Sequence, residues 1–274
     1  MGFEAFIGRS ETQEDVLAPA ALARMAATLD APPPGEEAPP LWHWMLFQDW
    51  RRPCGIGADG HPRRGGFLPA LEDLPRRMWA GGRLSFTGNP LRAGEAVRRV
   101  TTILSVTEKT GGSGRLVFVT LRHDLSNPRG AVLREEQDIV YRGTEGAAVR
   151  EAEPAPPFAA EVRRDLTPDP VLLFRYSALT GNGHRIHYDA DYARAEEGYP
   201  GLVVHGPLQA TLLAATMLAA APGRRLARFA FRGVRPAFAG APLALLARRE
   251  GEGLIGETRD ASGATCMKAD AALA

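Results

Sequence analysis

The chain is poor in cysteine and in long apolar runs, and each shortage excludes a class of protein. Its 274 residues include two cysteines, Cys54 and Cys266, too few and too far apart for a disulfide framework or a cysteine-based zinc site. No apolar run approaches the roughly 20 residues of a membrane span, so no membrane segment is expected. The N-terminal residues lack a basic stretch followed by an apolar one, so we expect no secretory signal and a cytoplasmic location.

Lysine is also scarce, because Lys109 and Lys268 are the only two in the chain and the other basic residues are arginine. A GC-rich gene is one explanation of this bias, and recognition of phosphate by the guanidinium fork is another. The net charge of +1 gives no reason to expect a nucleic-acid partner. A hydrophobic content of 45% is enough for a packed core.

The predicted helices and strands fall into two halves, residues 1–150 and 151–274. The matching segments Pro90–Gly94 and Pro236–Gly240 each precede a strand, which favours two copies of a unit with an antiparallel sheet around a helix, an α+β fold. The expected elements are a helix over 10–30, a buried helix or strand over 41–50, a long loop over 51–82, strands over 97–107, 115–124 and 132–141, a linker over 143–170, a short helix over 190–197, a long helix over 207–221, and strands over 227–234, 243–250, 254–259 and 265–272.

Residues 174–210 concentrate the groups that handle protons. His184 and His187 lie close to Asn182 and Arg185, and glycines on either side of Asn182 indicate a loop that can turn these groups toward one point. His205 follows further along the chain. Proton transfer, zinc binding by the three histidines, and solvated loop residues are all open on residue type alone, although zinc sites more often include a carboxylate or a thiolate.

The step His205-Gly206-Pro207 leads into the long predicted helix. A glycine at a helix start leaves a backbone N–H free, and the helix dipole favours negative charge there. Gly206 is therefore a candidate to bind an oxyanion, while a proline at a helix start is ordinary in itself.

Together these residues resemble the hydratase motif of the MaoC-like family of hot-dog proteins, Asp-x-Asn-Pro-x-His followed later by His-Gly. The resemblance implies an α+β double hot-dog fold, with His187 as the catalytic histidine and the Gly206 amide as the oxyanion donor. Asn182 stands where the family has aspartate, and we expect it to hold the water. His184, Arg185 and His205 are expected to support them.

Strings in the first half are similar to a two-repeat branch that includes mesaconyl- and itaconyl-CoA hydratases and mitochondrial-type 3-hydroxyacyl-thioester dehydratases. The strings are His61–Pro69, Arg77–Arg83 and Glu135–Tyr141. The resemblance covers residue 41 to the end of the chain. It implies reversible hydration of an α,β-unsaturated acyl thioester, such as mesaconyl-CoA or itaconyl-CoA, by a homodimer without metal or cofactor.

Other activities stay open within this resemblance. They are dehydration of longer 3-hydroxyacyl chains on CoA or acyl carrier protein, thioester hydrolysis, and non-catalytic binding of acyl-CoA. Arg63, Arg64 and Arg83 are candidates to bind a carrier phosphate or a substrate carboxylate, or else belong to a solvated basic segment. Residues 41–47 stand where the first repeat should have its central helix.

Overall fold

The computed structural model describes residues 3–111, 114–144 and 153–274, and its strands all join one antiparallel sheet. The strands are β1 (Ser10–Val16), β2 (Arg76–Phe86), β3 (Ala96–Gly111), β4 (Gly114–Asn127), β5 (Gly130–Arg142), β6 (Val162–Leu166), β7 (Leu226–Gly233), β8 (Leu243–Glu250), β9 (Gly253–Arg259) and β10 (Thr265–Leu273). The α-helices are α1 (Pro19–Leu29), α2 (Pro170–Thr180), α3 (Ala190–Ala195) and α4 (Gly206–Ala219). Single turns of 3-10 helix lie at Phe3–Phe6, Trp42–Met45, Pro53–Gly55 and Arg185–His187.

The order of the strands shows an internal repeat. It runs β1-β3-β4-β5-β2 and then β7-β10-β9-β8-β6, so the second half mirrors the first about the pairing of β2 with β7. In this arrangement β3 corresponds to β8. Pro90–Gly94 and Pro236–Gly240 thus precede equivalent strands, as the sequence match predicts.

Each half wraps its sheet around a central element, and the two elements differ in size. In the second half α4 is buried on nearly every side, which suits its small and apolar sequence. Gly256 of β9 lets this helix approach closely, since a Cβ there would lie 2.9 Å from the Cγ atom of Met217. In the first half the equivalent position holds only the 3-10 turn Trp42–Met45, so the sequence 41–50 forms neither a long helix nor a strand.

The two halves meet where β2 pairs with β7, with Gly81 opposite Arg232 and Gly82 opposite Phe231. A Cβ on Gly81 would lie 2.5 Å from the carbonyl oxygen of Phe231, so the two backbones approach too closely for any side chain. The pairing brings Trp79 of β2 beside Phe231 of β7 on the inner face of the sheet.

The predicted helix over 10–30 is wrong in its first part. Residues 10–16 form the edge strand β1, which pairs antiparallel with β3 and sets Glu14 opposite Arg98. The helix starts only at Pro19, because proline has no N–H to give to an earlier turn and fits the first helical position. The pairing with β3 therefore overrides the local preference of residues 10–16 for a helix.

Two other boundaries need correction. The loop predicted over 51–82 ends at residue 75, since β2 begins at Arg76 and the glycines at 81 and 82 serve a close approach of strands. The linker predicted over 143–170 contains β6, which pairs with β8. The sequence does not predict helix α2. This helix leads into residues 181–189, the histidine loop. The proposed division at residue 150 lies outside the described residues.

Of the helices in the described ranges, none has the length and apolar character needed to cross a membrane.

Candidate active site

The histidine loop, the start of α4 and the inner face of the first half enclose one cavity of about 930 Å³. His187, Asn182 and Gly206 line it from the second half, and Trp79 and Trp44 from the first. The predicted catalytic residues therefore share one space. Cavities of this size suit a ligand as large as a drug or a cofactor arm.

His187 is fixed in one orientation. It lies in the 3-10 turn Arg185–His187 with 6% of its surface exposed, and its Nδ1 atom is 2.7 Å from the carbonyl oxygen of Val203. Because a carbonyl oxygen only accepts hydrogen bonds, Nδ1 carries the proton and Nε2 keeps a lone pair. Burial, followed by the neighbouring His205, holds the pKa of His187 well below its usual 6.5, so the ring is neutral at pH 7.

His205 lies beneath this ring. The two imidazoles stack with their centroids 3.6 Å apart and their planes 20° from parallel. His205 is fully buried, its Nε2 atom lies 2.8 Å from the hydroxyl of Ser177, and burial lowers its pKa to about 3. It does not line the cavity, so the structure places it as a support for His187.

Asn182 and Gly206 offer donors to the cavity. The Oδ1 atom of Asn182 accepts the backbone N–H of His184 at 3.1 Å, so its Nδ2 group is the part left for a ligand. Gly206 begins α4, and N–H groups in the first turn of a helix have no acceptor within the helix. A Cβ at Gly206 would meet only the carbonyl oxygen of Trp79, at 3.8 Å, so packing does not require glycine here.

Of the remaining two residues of the motif, His184 lines the cavity and Arg185 does not. His184 is buried and lines the cavity, with its ring 5.6 Å from His187 and its Nε2 atom 3.6 Å from a carboxylate oxygen of Glu197. Arg185 lies away from the cavity and forms an ion pair with Asp189. Its guanidinium also donates to the carbonyl oxygen of Ala58, which ties the histidine loop to the loop of the first half.

None of the three arginines proposed to bind substrate lines the cavity. Arg63 is exposed. Arg64 donates to the carbonyl oxygens of Leu71, Leu74 and Pro75 and so closes its own loop. Arg83 projects from β2 into ion pairs with Glu136 and Asp138, outside the cavity. The local sequence could not show this, since the face on which each side chain lies depends on strand pairing.

The first half supplies a hydrogen-bonded histidine and aspartate, His61 and Asp59, that residue types alone did not reveal. The Nδ1 atom of His61 lies 3.2 Å from a carboxylate oxygen of Asp59, and its ring lies 4.4 Å from that of His184. Asp59 also accepts the backbone N–H of His61, a tight turn that fixes both groups. Their signal in the sequence was the string that begins at His61, which carried a resemblance but no derived chemistry.

Asp59, His61 and His184 also form the set most able to hold a metal in the described part of the chain. Their potential ligand atoms lie within 4.8 Å of one another. The set differs from the zinc alternative of His184, His187 and His205. Two histidines of that alternative already use one ring nitrogen each. His187 is bonded to the carbonyl oxygen of Val203, and His205 is bonded to the hydroxyl of Ser177.

A polar row forms the wall of the cavity in the first half. Thr101, His123 and Glu135 lie side by side on β3, β4 and β5. Glu135 is buried and accepts hydrogen bonds from His43 at 2.9 Å and from Trp44 at 3.0 Å. His123 joins Thr101 to Gln137. The row is satisfied internally, so it stiffens the wall that faces His187.

Comparison with known proteins identifies the family of the chain. The family of hydroxyacyl-thioester dehydratases type 2 matches residues 41–239. The chain belongs to this family. A mesaconyl-C(4)-CoA hydratase of Chloroflexus aurantiacus is 45% identical over 271 residues, which cover 97% of this chain and 95% of the relative. The MaoC-like resemblance and the hydro-lyase class are thereby confirmed.

Solved structures confirm the double hot-dog fold. A MaoC-like dehydratase from Phytophthora capsici aligns over 100% of this chain and 98% of its own, with a TM-score of 0.73 and 15% identity. A Mycobacterium tuberculosis protein described as a double hot-dog fold aligns over 98% of this chain and 96% of its own, with a TM-score of 0.58 and 14% identity. Both alignments span both halves of the chain.

The buried imidazoles make stability depend on pH. The unfolded chain protonates each histidine near pH 6.5, whereas His205 in the folded chain stays neutral down to about pH 3. The free energy of unfolding should therefore fall below pH 6.5, by about 1.4 kcal/mol per pH unit for each such histidine. In urea titrations at pH 7, 6 and 5, we expect His205→Gln to show a smaller fall than the original chain. Equal slopes would contradict a neutral, buried His205.

Proposed function

We propose that the protein catalyses the reversible addition of water to an α,β-unsaturated acyl-CoA with a short, branched or dicarboxylic acyl group, of the mesaconyl-CoA or itaconyl-CoA type. The observation that carries this proposal is that one cavity is lined both by His187, whose Nε2 atom keeps its lone pair, and by Gly206, whose backbone N–H begins α4. A neutral imidazole can take a proton from water, and a helix N-terminus can hold a thioester oxygen as it gains charge. The Chloroflexus relative supports the acyl type.

The reaction begins when Nε2 of His187 accepts a proton from a water held by the amide of Asn182. The water oxygen bonds to the β-carbon, and the electron pair of the double bond moves toward the thioester carbonyl. The resulting enolate oxygen accepts the N–H of Gly206 at the positive end of α4. The proton taken from water returns to the α-carbon, and a 3-hydroxyacyl thioester is formed. Dehydration follows the same steps in reverse.

The cavity also favours a second candidate substrate. Its volume of about 930 Å³ exceeds the needs of a short acyl group, and the single 3-10 turn at Trp42–Met45 leaves space where a long central helix would otherwise pack. Longer 3-hydroxyacyl chains, on CoA or on acyl carrier protein, would fit the same chemistry.

We further propose a cytoplasmic homodimer. Gel filtration coupled to light scattering would test the oligomeric state.

The activity is tested with crotonyl-, mesaconyl- and itaconyl-CoA, by following loss of enoyl absorbance and release of free thiol in parallel. A hydratase consumes the enoyl group and releases no thiol, a thioesterase releases thiol, and a binding protein does neither. Replacement of His187 by alanine should lower the rate by roughly 10²–10⁴-fold, because the proton-transfer group is lost.

His187→Asn sharpens that test, since its amide can still donate to the carbonyl of Val203 while lacking a basic nitrogen. Arg83→Gln is the control, because its ion pairs lie outside the cavity and such pairs contribute little. If His187→Asn keeps more than half of the original rate on every enoyl-CoA, His187 is not the proton-transfer group.

Gly206→Ala tests the oxyanion site. The added methyl group fits, with its nearest neighbour at 3.8 Å, so the melting temperature should not change. Because Gly206 lines the cavity, we expect the methyl group to displace the thioester from the N–H and to lower kcat/KM by about 10- to 1000-fold. Gly201→Ala is the matched control, since nothing lies within 4 Å of its Cβ position. Loss of stability in step with activity would mean that Gly206 serves packing.

We propose that the reaction needs no metal or redox cofactor, because imidazole, amide and backbone groups supply each step. Exhaustive dialysis against a chelator should leave the rate of hydration unchanged. The trio Asp59, His61 and His184 makes this a demanding test. Activity that disappears on chelation and returns with zinc would assign the trio a catalytic metal instead.

A further inference from the structure

Arg77 is one of several arginines that line the cavity. It is half-buried, lines the same cavity as His187 and Gly206, and lies two residues before Trp79 on β2, ahead of the bulge, so both side chains face the inner side of the sheet. Within the described residues its guanidinium has no hydrogen bond and no carboxylate within ion-pair distance. Its hydrogen-bond donors are therefore open to a ligand in the cavity.

The neighbouring arginine shows what a structural role looks like at this position. Arg76 is buried and bonded on every side, to a carboxylate of Glu197 at 3.3 Å and to the carbonyl oxygens of Glu196 and Thr144 at 3.0 and 3.2 Å. The two arginines are adjacent in the chain, and one is satisfied by the protein while the other is not. The surplus donors of Arg77 are thus available to a ligand.

Arg77 lines the same cavity as His61 and His184. Its charge acts on His61, whose pKa of about 3 is set first by burial and further lowered by Arg77 and His184. His61 in turn packs on His184, which packs on His187. Arg77 therefore shares one cavity with His61, His184 and His187.

We propose that Arg77 binds a carboxylate on the β-carbon of the acyl group, which makes the enzyme selective for dicarboxylic thioesters. This rests on the hydratase function proposed above. In a mesaconyl C4 thioester the free carboxylate is attached to the carbon that receives water, so its cation must lie next to the water-handling imidazoles. The guanidinium fork matches a carboxylate with two parallel hydrogen bonds. The phosphates of CoA are separated from this point by the long pantetheine arm.

A binding experiment tests the site without requiring turnover. Succinyl-CoA and butyryl-CoA are both saturated and differ in having a carboxylate or a methyl group on the β-carbon. Calorimetry should show tighter binding of succinyl-CoA by the original protein, by a factor of about 10 to 100. Arg77→Met should abolish that preference, and Arg77→Lys should retain part of it. Arg83→Met, on the same strand but outside the cavity, should keep it in full.

Rates of hydration provide a second test of the carboxylate site. Arg77→Met should lower kcat/KM for mesaconyl-C4-CoA by a factor of about 10 to 100 and leave 3-methylcrotonyl-CoA, which has a methyl group in place of the carboxylate, unaffected. Equal losses on both would assign Arg77 to the CoA phosphates or to the fold and overturn the proposal, as would an unchanged preference for succinyl-CoA. If the original protein prefers succinyl-CoA yet hydrates no enoyl-CoA, the hydratase function fails and the carboxylate site stands.

Discussion

The pairing of β2 with β7 is the constraint on which the site depends. It joins the two halves edge to edge, and it is possible only because Gly81 has no side chain at the point where the carbonyl of Phe231 comes closest. The same pairing sets the carbonyl of Trp79 beside Gly206 at the start of α4. Gly206 at the start of α4 and Arg77 of β2 therefore line one cavity, although they lie far apart in the chain.

A second feature is the exclusion of charge from the imidazoles. His187 and His205 stack face to face with almost no exposure, which would be unfavourable for two imidazolium ions. Burial keeps both neutral, and one hydrogen bond to Val203 decides which nitrogen of His187 keeps its lone pair. On the proposed mechanism this neutral His187 is the base at neutral pH, and Asn182 stands where the MaoC-like motif has aspartate.

The two repeats have divided their tasks. The second keeps the long helix α4 and the histidine loop. The first has shortened its helix to the turn Trp42–Met45, and it supplies the polar wall around Glu135 and the loop that carries Asp59 and His61. The short turn leaves volume beside the site, and Glu135 and His61 make this side of the cavity polar. On the proposed mechanism, the first repeat would determine which acyl group enters and the second would carry out the chemistry.

The sequence by itself indicated α4, the last four strands and the histidine motif, because the glycines, the three histidines and the strongly apolar α4 act over short distances along the chain. It also indicated the repeat, through Pro90–Gly94 and Pro236–Gly240. Only the tertiary structure decided that residues 10–16 pair as a strand, that Arg83 lies outside the cavity while Arg77 lies within it, and that His61 meets His184. Those outcomes depend on strand pairing and on contacts between halves, which local patterns of residues do not contain.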